Sequence, residues 1–383
     1  MANMLDYLEE VRDTSMAELP FNEVDALLFC QLTYWPFLGV ISAQGTRKAL
    51  GEAIQDPALW QSPAQKHAAV HDLDYGLLEK MGKSRRFGGV LLSDCVDSAR
   101  NGEDVQFSAL AWHFGEESTL VTFRGTEPTL KSWQESATMS YLPVAKSQEM
   151  AAIYLAERGD HFNEKLYLGG HSKGGNLALY AAVQAQESLR RRLQFIYNMD
   201  GPGFNESVRL DAPLRALNPR IRTYVPQSSL VGMLLCHEEP AVVIKSRAVA
   251  IFQHATYSWQ VEDHHLVRLG ELSPMGQFHR RVMKRWLSAL SAEEKAEFID
   301  NVAAILQGSD EEVGFLQRMT RARSVLQTMD PEEQEILKKT LVAFKDAFFE
   351  GDEAQKEVGR RIAGMFQNLK KVIQKPLHRD SLR

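Results

Sequence analysis

Cysteine is scarce in this chain of 383 residues: Cys30, Cys95 and Cys236 are its three cysteines. They are widely spaced and form no Cys-x-x-Cys pair, which argues against both a disulfide framework and a zinc site. Buried thiols are the expectation, with neither a metal nor an organic cofactor. An excess of one charge is also missing. The net charge is -6, with acidic and basic residues interspersed, so no broad basic face is available and nucleic acid is not an expected partner. Met1 to Glu10 carries acidic residues and no basic segment leading into a long apolar run. Neither a signal peptide nor a transmembrane anchor is therefore expected, and the expected location is the cytoplasm. What is present is 44% apolar and 25% charged residues, enough for one large core with room for an accessory domain.

The pattern divides the chain into 1–90, 91–272 and 273–383. The first part reads as a helical segment packed on the core: Phe21 to Asp25 leads into the near-continuous apolar stretch Ala26 to Cys30, and Trp35-Pro36 breaks the helix. Between about residues 105 and 260, short runs rich in Val, Ile, Phe and Tyr alternate with helical stretches, which predicts an α/β sheet. Strands are expected at Val105 to His113, Ser118 to Phe123, Leu166 to Gly169, Phe195 to Met199, Ile221 to Val225, Ala241 to Ile244 and Val249 to Phe252. Beyond Ser273 the reading is a helical appendage. Capping boxes pair Ser291 with Glu294, Ser309 with Glu312 and Asp330 with Glu333, and Leu337, Leu341, Phe344 and Phe348 recur on one helical face. The basic end, with Lys370, Lys371, Lys375, Arg379 and Arg383, is expected to be a solvated tail, peripheral contact with an anionic membrane being the alternative.

Leu166 to Gly169 runs directly into Gly170-His171-Ser172-Lys173-Gly174-Gly175, followed by the Ala- and Leu-rich stretch Asn176 to Ala185. Strand, sharp turn and helix around Gly-x-Ser-x-Gly form a nucleophile elbow, whose glycines let helix and strand approach closely around an exposed serine. Ser172 is thus the candidate nucleophile. The competing reading is a glycine-rich turn that binds phosphate at a helix N-terminus, but Gly-x-x-x-x-Gly-Lys is absent. Acyl transfer needs two donors at the developing oxyanion. The elbow supplies the main-chain N–H of Lys173, and the second should come from a loop after an earlier strand, as in Leu120 to Thr126.

Phe123-Arg124-Gly125-Thr126, then Ser132-Trp133-Gln134-Glu135, then Gly170 to Gly174 resemble the class 3 (fungal-type triacylglycerol) lipases. With Asp200-Gly201-Pro202-Gly203-Phe204, Gln253-His254 and Ser258-Trp259-Gln260, the chain from about Phe21 to Val261 looks like a bacterial lipase-like family of mostly unassigned function. The resemblance implies an α/β-hydrolase-like, mainly parallel sheet with helices on both faces, a lipid-like ester substrate, an oxyanion role for Thr126 and a lid beginning near Ser132 to Glu135. Arg124 is expected to make a structural ion pair.

The elbow serine needs a later histidine, usually with an acid between them. His237 lies in a charged loop, His264 and His265 in a polar stretch, and His279 at an arginine-rich helix start. His254 ends the apolar run Ala248 to Phe252, and the resemblance selects it as well; His264 is the reserve. The acid is harder to place. Class 3 lipases carry it after the strand equivalent to Ile221 to Val225, where Pro226-Gln227-Ser228-Ser229 offers no carboxylate. Asp200, after Phe195 to Met199, is the candidate. A plain turn aspartate is its competing reading, and Asp263, Glu238 or Glu239 would then be the alternatives.

These residues predict a serine hydrolase that cleaves esters through an acyl-enzyme. The alternative is a non-catalytic interaction protein on a degenerate hydrolase core, supported by the missing carboxylate near Ser229.

Overall fold

The computed structural model describes residues 2–296 apart from 44, 62–71, 99–104, 116, 128–129, 206–210 and 249. In chain order the elements are α1 (Met4–Val11), α2 (Glu23–Leu32), β1 (Lys48–Ala49), α3 (Leu50–Ala53), α4 (Pro57–Gln61), α5 (Asp72–Lys83), β2 (Leu91–Asp97), β3 (Ser108–Phe114), β4 (Ser118–Phe123), α6 (Leu130–Ala137), α7 (Lys146–Arg158), β5 (Lys165–His171), α8 (Lys173–Gln184), α9 (Glu187–Arg192), β6 (Leu193–Met199), α10 (Asp211–Leu217), β7 (Ile221–Pro226), β8 (Ala241–Ile244), β9 (Val261–Glu262), β10 (His265–Leu266), β11 (Arg268–Leu269) and α11 (Pro274–Ser288). Contacts divide the chain into two units, Met1–His279 and Arg280–Arg383.

The main sheet has the order β1-β2-β3-β4-β5-β6-β7-β8-β11. Its centre, β4 through β8, is parallel, while β1 to β4 on one flank and β11 on the other pair antiparallel. The expected mainly parallel sheet is therefore a parallel core with antiparallel margins. Period-two alternation gives it two apolar faces. Leu110, Trp112 and Phe114 of β3 join a cluster with α1, α2 and α5, whereas Ala109 and Ala111 join one with α7, α8 and α10. Helices cover both faces, as the crossovers of a parallel core require.

The N-terminal helices are fixed by capping boxes at Asn3 with Asp6 and Asn22 with Asp25. Every residue of α2 is buried, which explains why its sequence shows no polar stripe. Asp25 also accepts from Tyr7 at 2.8 Å and pairs with Arg86 at 2.5 Å, so its buried charge is compensated. In the second unit the Ser291 and Glu294 capping box is formed. The boxes at Ser309 and Asp330, the amphipathic stretch from Leu337 to Phe348 and the basic end lie outside the described residues. No helix among the described residues is long and apolar enough to cross a membrane.

Three strand expectations change. Strand β2 was not legible, because its run Leu-Leu-Ser-Asp-Cys-Val-Asp mixes polar residues into a strand with a register shift between Ser93 and Val96. Strand β3 starts at Ser108 rather than Val105, the Gln106 carbonyl being taken instead by the Lys173 ammonium at 2.7 Å. The stretch expected as a strand from Val249 to Phe252 contains the start of a 3-10 helix, Ala250–His254. The ladder position beside β8 is filled by β11, so the segment turns instead of extending the sheet.

Candidate active site

Ser172 stands between β5 and α8 with φ 57° and ψ −133°, a region that residues with a side chain rarely enter and that stores on the order of 1–3 kcal/mol of strain. The neighbours hold it there. Its N–H donates to Met199 O at 2.9 Å, and its carbonyl accepts from Gly175 N at 2.9 Å. Gly174 is required by closeness alone: a Cβ there would lie 2.0 Å from Phe123 O. The end of β4 and the start of α8 can meet only across a glycine.

Asp200 follows β6 and is 1% exposed. Its Oδ2 accepts from His254 Nδ1 at 2.7 Å, and its Oδ1 accepts from Ser229 Oγ at 2.5 Å. Ser229 Oγ in turn accepts from Gly232 N at 3.0 Å. Because a carboxylate only accepts, Nδ1 of His254 carries the proton, and in the neutral imidazole Nε2 is left bare. Among the described residues, neither His254 Nε2 nor Ser172 Oγ makes a hydrogen bond, so the two are not bonded to each other here. They belong to one cluster all the same: His171, next to the serine, lies with its ring 4.4 Å from that of His254.

The 3-10 turn that carries His254 is pinned from several sides. Gln253 accepts from Ser228 N at 2.8 Å and donates to Ala248 O at 2.9 Å, while Trp259 Nε1 donates to the Gln253 carbonyl at 2.8 Å. His171 Nε2 donates to the His254 carbonyl at 2.9 Å. Sequence reasoning did not find the contributions of Ser229, Gln253 and His171. The last two lie inside recognisable motifs, but no spacing rule says that their side chains converge on His254.

On the other side of the elbow the polar groups are tied to α6. Ser136 Oγ donates to Ser132 O at 2.7 Å, which uses its one proton, so at the 2.7 Å contact between the Thr126 and Ser136 hydroxyls it is Thr126 that donates. Glu127 N donates to Ser132 Oγ at 2.9 Å. The Lys173 ammonium is buried and bonds Glu135 at 2.5 Å as well as the Gln106 carbonyl. Burial draws it below the usual lysine range and Glu135 partly offsets this. A lysine so engaged offers nothing to a phosphate. Arg124 makes the expected ion pair, bidentate to Asp97 at 2.7 and 2.9 Å. Burial pulls its guanidinium down, but Asp97 outweighs this and keeps it charged.

The reserve groups lie in other contacts. His264 bonds Glu10 at 2.9 Å and packs edge-on against Tyr7. Glu239 is occupied by His237 at 2.8 Å and Thr223 at 3.0 Å, and Asp263 sits in the turn between β9 and β10 with φ 48°. Among the described residues no group of three or more His, Cys, Asp or Glu side chains is placed to hold a metal ion.

A strained serine between a parallel strand and the helix that follows, in a mixed sheet covered on both faces, is the arrangement of an α/β-hydrolase-like protein. A model of the Mbeg1-like family matches residues 81–304, and the chain belongs to this lipase-like family. Among solved structures the chain is distantly similar to the crystal structure of M37 lipase, at 12% identity and a TM-score of 0.32, over 82% of this chain and 97% of that one. No curated protein matches it.

Proposed function

We propose that the protein is a serine hydrolase that cleaves carboxylic esters, with Ser172 as nucleophile, His254 as general base and Asp200 as the acid that orients it. The observation that carries this reading is the 2.7 Å contact from His254 Nδ1 to Asp200, which leaves Nε2 bare on a ring that packs 4.4 Å from that of His171, the neighbour of the strained Ser172. His254 takes the Ser172 proton as Oγ attacks the ester carbonyl, then returns it to the leaving alcohol. Water repeats the sequence on the acyl-enzyme. Asp200 fixes the tautomer and stabilises the imidazolium without itself taking the proton. The bond between serine and histidine forms on substrate binding, since such contacts are often long in a free enzyme.

For the oxyanion we assign the main-chain N–H groups of Lys173 and Thr126. Lys173 opens α8, where first-turn N–H groups lack helical partners, and the Thr126 hydroxyl proton is engaged with Ser136. The substrate is a small ester or lipid-like molecule, and no step calls for a cofactor. Against a non-catalytic scaffold, for which the lack of a carboxylate in the Ser229 turn speaks, the contact of the Ser229 hydroxyl with the Asp200 carboxylate supports the catalytic reading. Hydrolysis of a short p-nitrophenyl ester tests the reading. Ser172→Ala should lower the rate by about 10⁴-fold or more with the fold intact; equal turnover in that variant contradicts it.

A further inference from the structure

His171 ends β5 and is 7% exposed. Its Nε2 lies 2.9 Å from the His254 carbonyl oxygen. A carbonyl only accepts, so this nitrogen carries a proton and donates. Burial, and after it the facing His254, holds the imidazole well below the usual histidine range. The ring is therefore neutral, Nδ1 is bare, and the Tyr34 hydroxyl at 3.1 Å donates to it. Tyr34 follows the fully buried α2 and reaches this nitrogen over Gly125, where a Cβ would lie 2.1 Å from its hydroxyl.

The helix that places Tyr34 also holds the next 3-10 turn of the chain, Thr256–Ser258. Thr256 Oγ1 donates to Gln31 Oε1 at 2.7 Å, Gln31 Nε2 donates to Asp74 at 2.9 Å, and the Tyr257 hydroxyl bonds Asp74 too. Before these anchors lies the five-residue 3-10 turn Ala250–His254, whose Phe252 is 70% exposed while Gln253 is buried. What faces the ring of His254 is the ring of His171, 4.4 Å away and tilted by 32°.

We propose that His171 is a positioning residue for His254: its donated hydrogen bond to the His254 carbonyl and its ring packed at a tilt against the His254 imidazole fix the direction in which Nδ1 and Nε2 point. This rests on the reading of His254 as the general base. The chain of donors runs one way, from Tyr34 to His171 to the His254 main chain, and it requires a neutral His171. A cation there would face the imidazolium that forms on His254 during acyl transfer.

The test uses the full chain with His171→Phe, His171→Gln and Tyr34→Phe. Two readouts are taken: kcat and KM on a short p-nitrophenyl ester, and the low-field proton resonance of the His254 Nδ1–H, assigned by its loss in Asp200→Asn. His171→Phe keeps a ring but loses the donor. It should lower kcat by about 10²-fold, the scale of a misplacement near 1 Å, leave KM within about three-fold, and broaden or abolish the resonance. His171→Gln can still donate to the carbonyl and should recover kcat to within about ten-fold of wild type, with Tyr34→Phe falling between. Wild-type kcat with a sharp resonance in His171→Phe overturns the proposal, as does a Gln variant as impaired as the Phe variant. If His171→Phe does not fold, the other two decide: loss in Tyr34→Phe with near-normal Gln sustains the proposal, and wild-type behaviour in both overturns it. Should the wild type neither hydrolyse esters nor react with a fluorophosphonate, the functional reading fails. The resonance then still tests the positioning, which is sustained if His171→Phe loses the signal and refuted if it keeps it.

Discussion

The two sides of the Ser172 elbow treat their polar hydrogens differently. Toward α6, the Thr126 hydroxyl is bound to Ser136, Ser136 to Ser132, and Lys173 to Glu135 and Gln106. Toward β6, Asp200 collects Ser229 and His254, and the network stops at a nitrogen of His254 that nothing described occupies. A network whose hydrogens are all spent on neighbours holds a loop; one that ends on a bare imidazole nitrogen can take up a proton and pass it on. His113 extends the contrast, because both of its nitrogens are engaged, by Ser93 at 2.7 Å and Thr119 at 2.9 Å. It is a buried histidine doing structural service, whereas His254 keeps one nitrogen in reserve.

The largest effect that can break this contrast is expected from Asp200→Asn. The amide preserves shape and can still accept from Ser229, but it puts a donor toward Nδ1 and removes the charge that stabilises the imidazolium, so ester hydrolysis should fall by up to about 10⁴-fold. Activity within a few-fold of wild type would make Asp200 a turn residue only. Ser229→Ala removes one hydrogen bond to a buried carboxylate, worth about 1.5–3 kcal/mol where the partner is charged, and chemical denaturation should register a loss of that size. An unchanged denaturation midpoint would mean that Asp200 does not depend on Ser229. Thr126→Val sharpens the other side. With the hydroxyl already spent on Ser136, its removal should change kcat by less than about ten-fold, while a loss of about 10²-fold to 10³-fold would show that the hydroxyl turns to the oxyanion when substrate arrives.

The smallest effect on activity should come from His113→Gln. Burial first of all lowers the His113 pKa to about 4 from an ordinary value near 6.5. The unfolded chain therefore binds this proton more readily than the folded one. Its contribution to stability is complete above about pH 6.5 and is lost as the pH falls toward about 4. Thermal unfolding of the wild type and of His113→Gln should thus diverge in slope over that interval with ester hydrolysis at neutral pH unaltered. Parallel pH profiles would count against the buried, neutral ring.

Local chemistry was legible where it is written in adjacent residues. The elbow at Ser172, the strands β4 and β8 and the buried helix α2 all follow from short-range pattern. The sheet margins do not, since β2 carries Ser93, Asp94 and Asp97 in a run that does not alternate, and its identity as a strand comes from pairing with β3. The local pattern places His254 at the end of a strand, whereas a 3-10 turn delivers it. The turn exists because β11, later in the chain, takes the edge of β8, a long-range competition that no local window contains. Ser229 escaped for a similar reason. A serine in a turn has many uses, and only the fold brings its hydroxyl to Asp200.

The central claim, an activated serine at the elbow, is tested most directly by a fluorophosphonate probe on the full chain, with the modified residue located by peptide mass spectrometry. One rapid adduct on Ser172 is expected, absent in Ser172→Ala and strongly slowed in Asp200→Asn. A wild-type chain that stays unlabelled, or that labels equally well in Ser172→Ala, would contradict it.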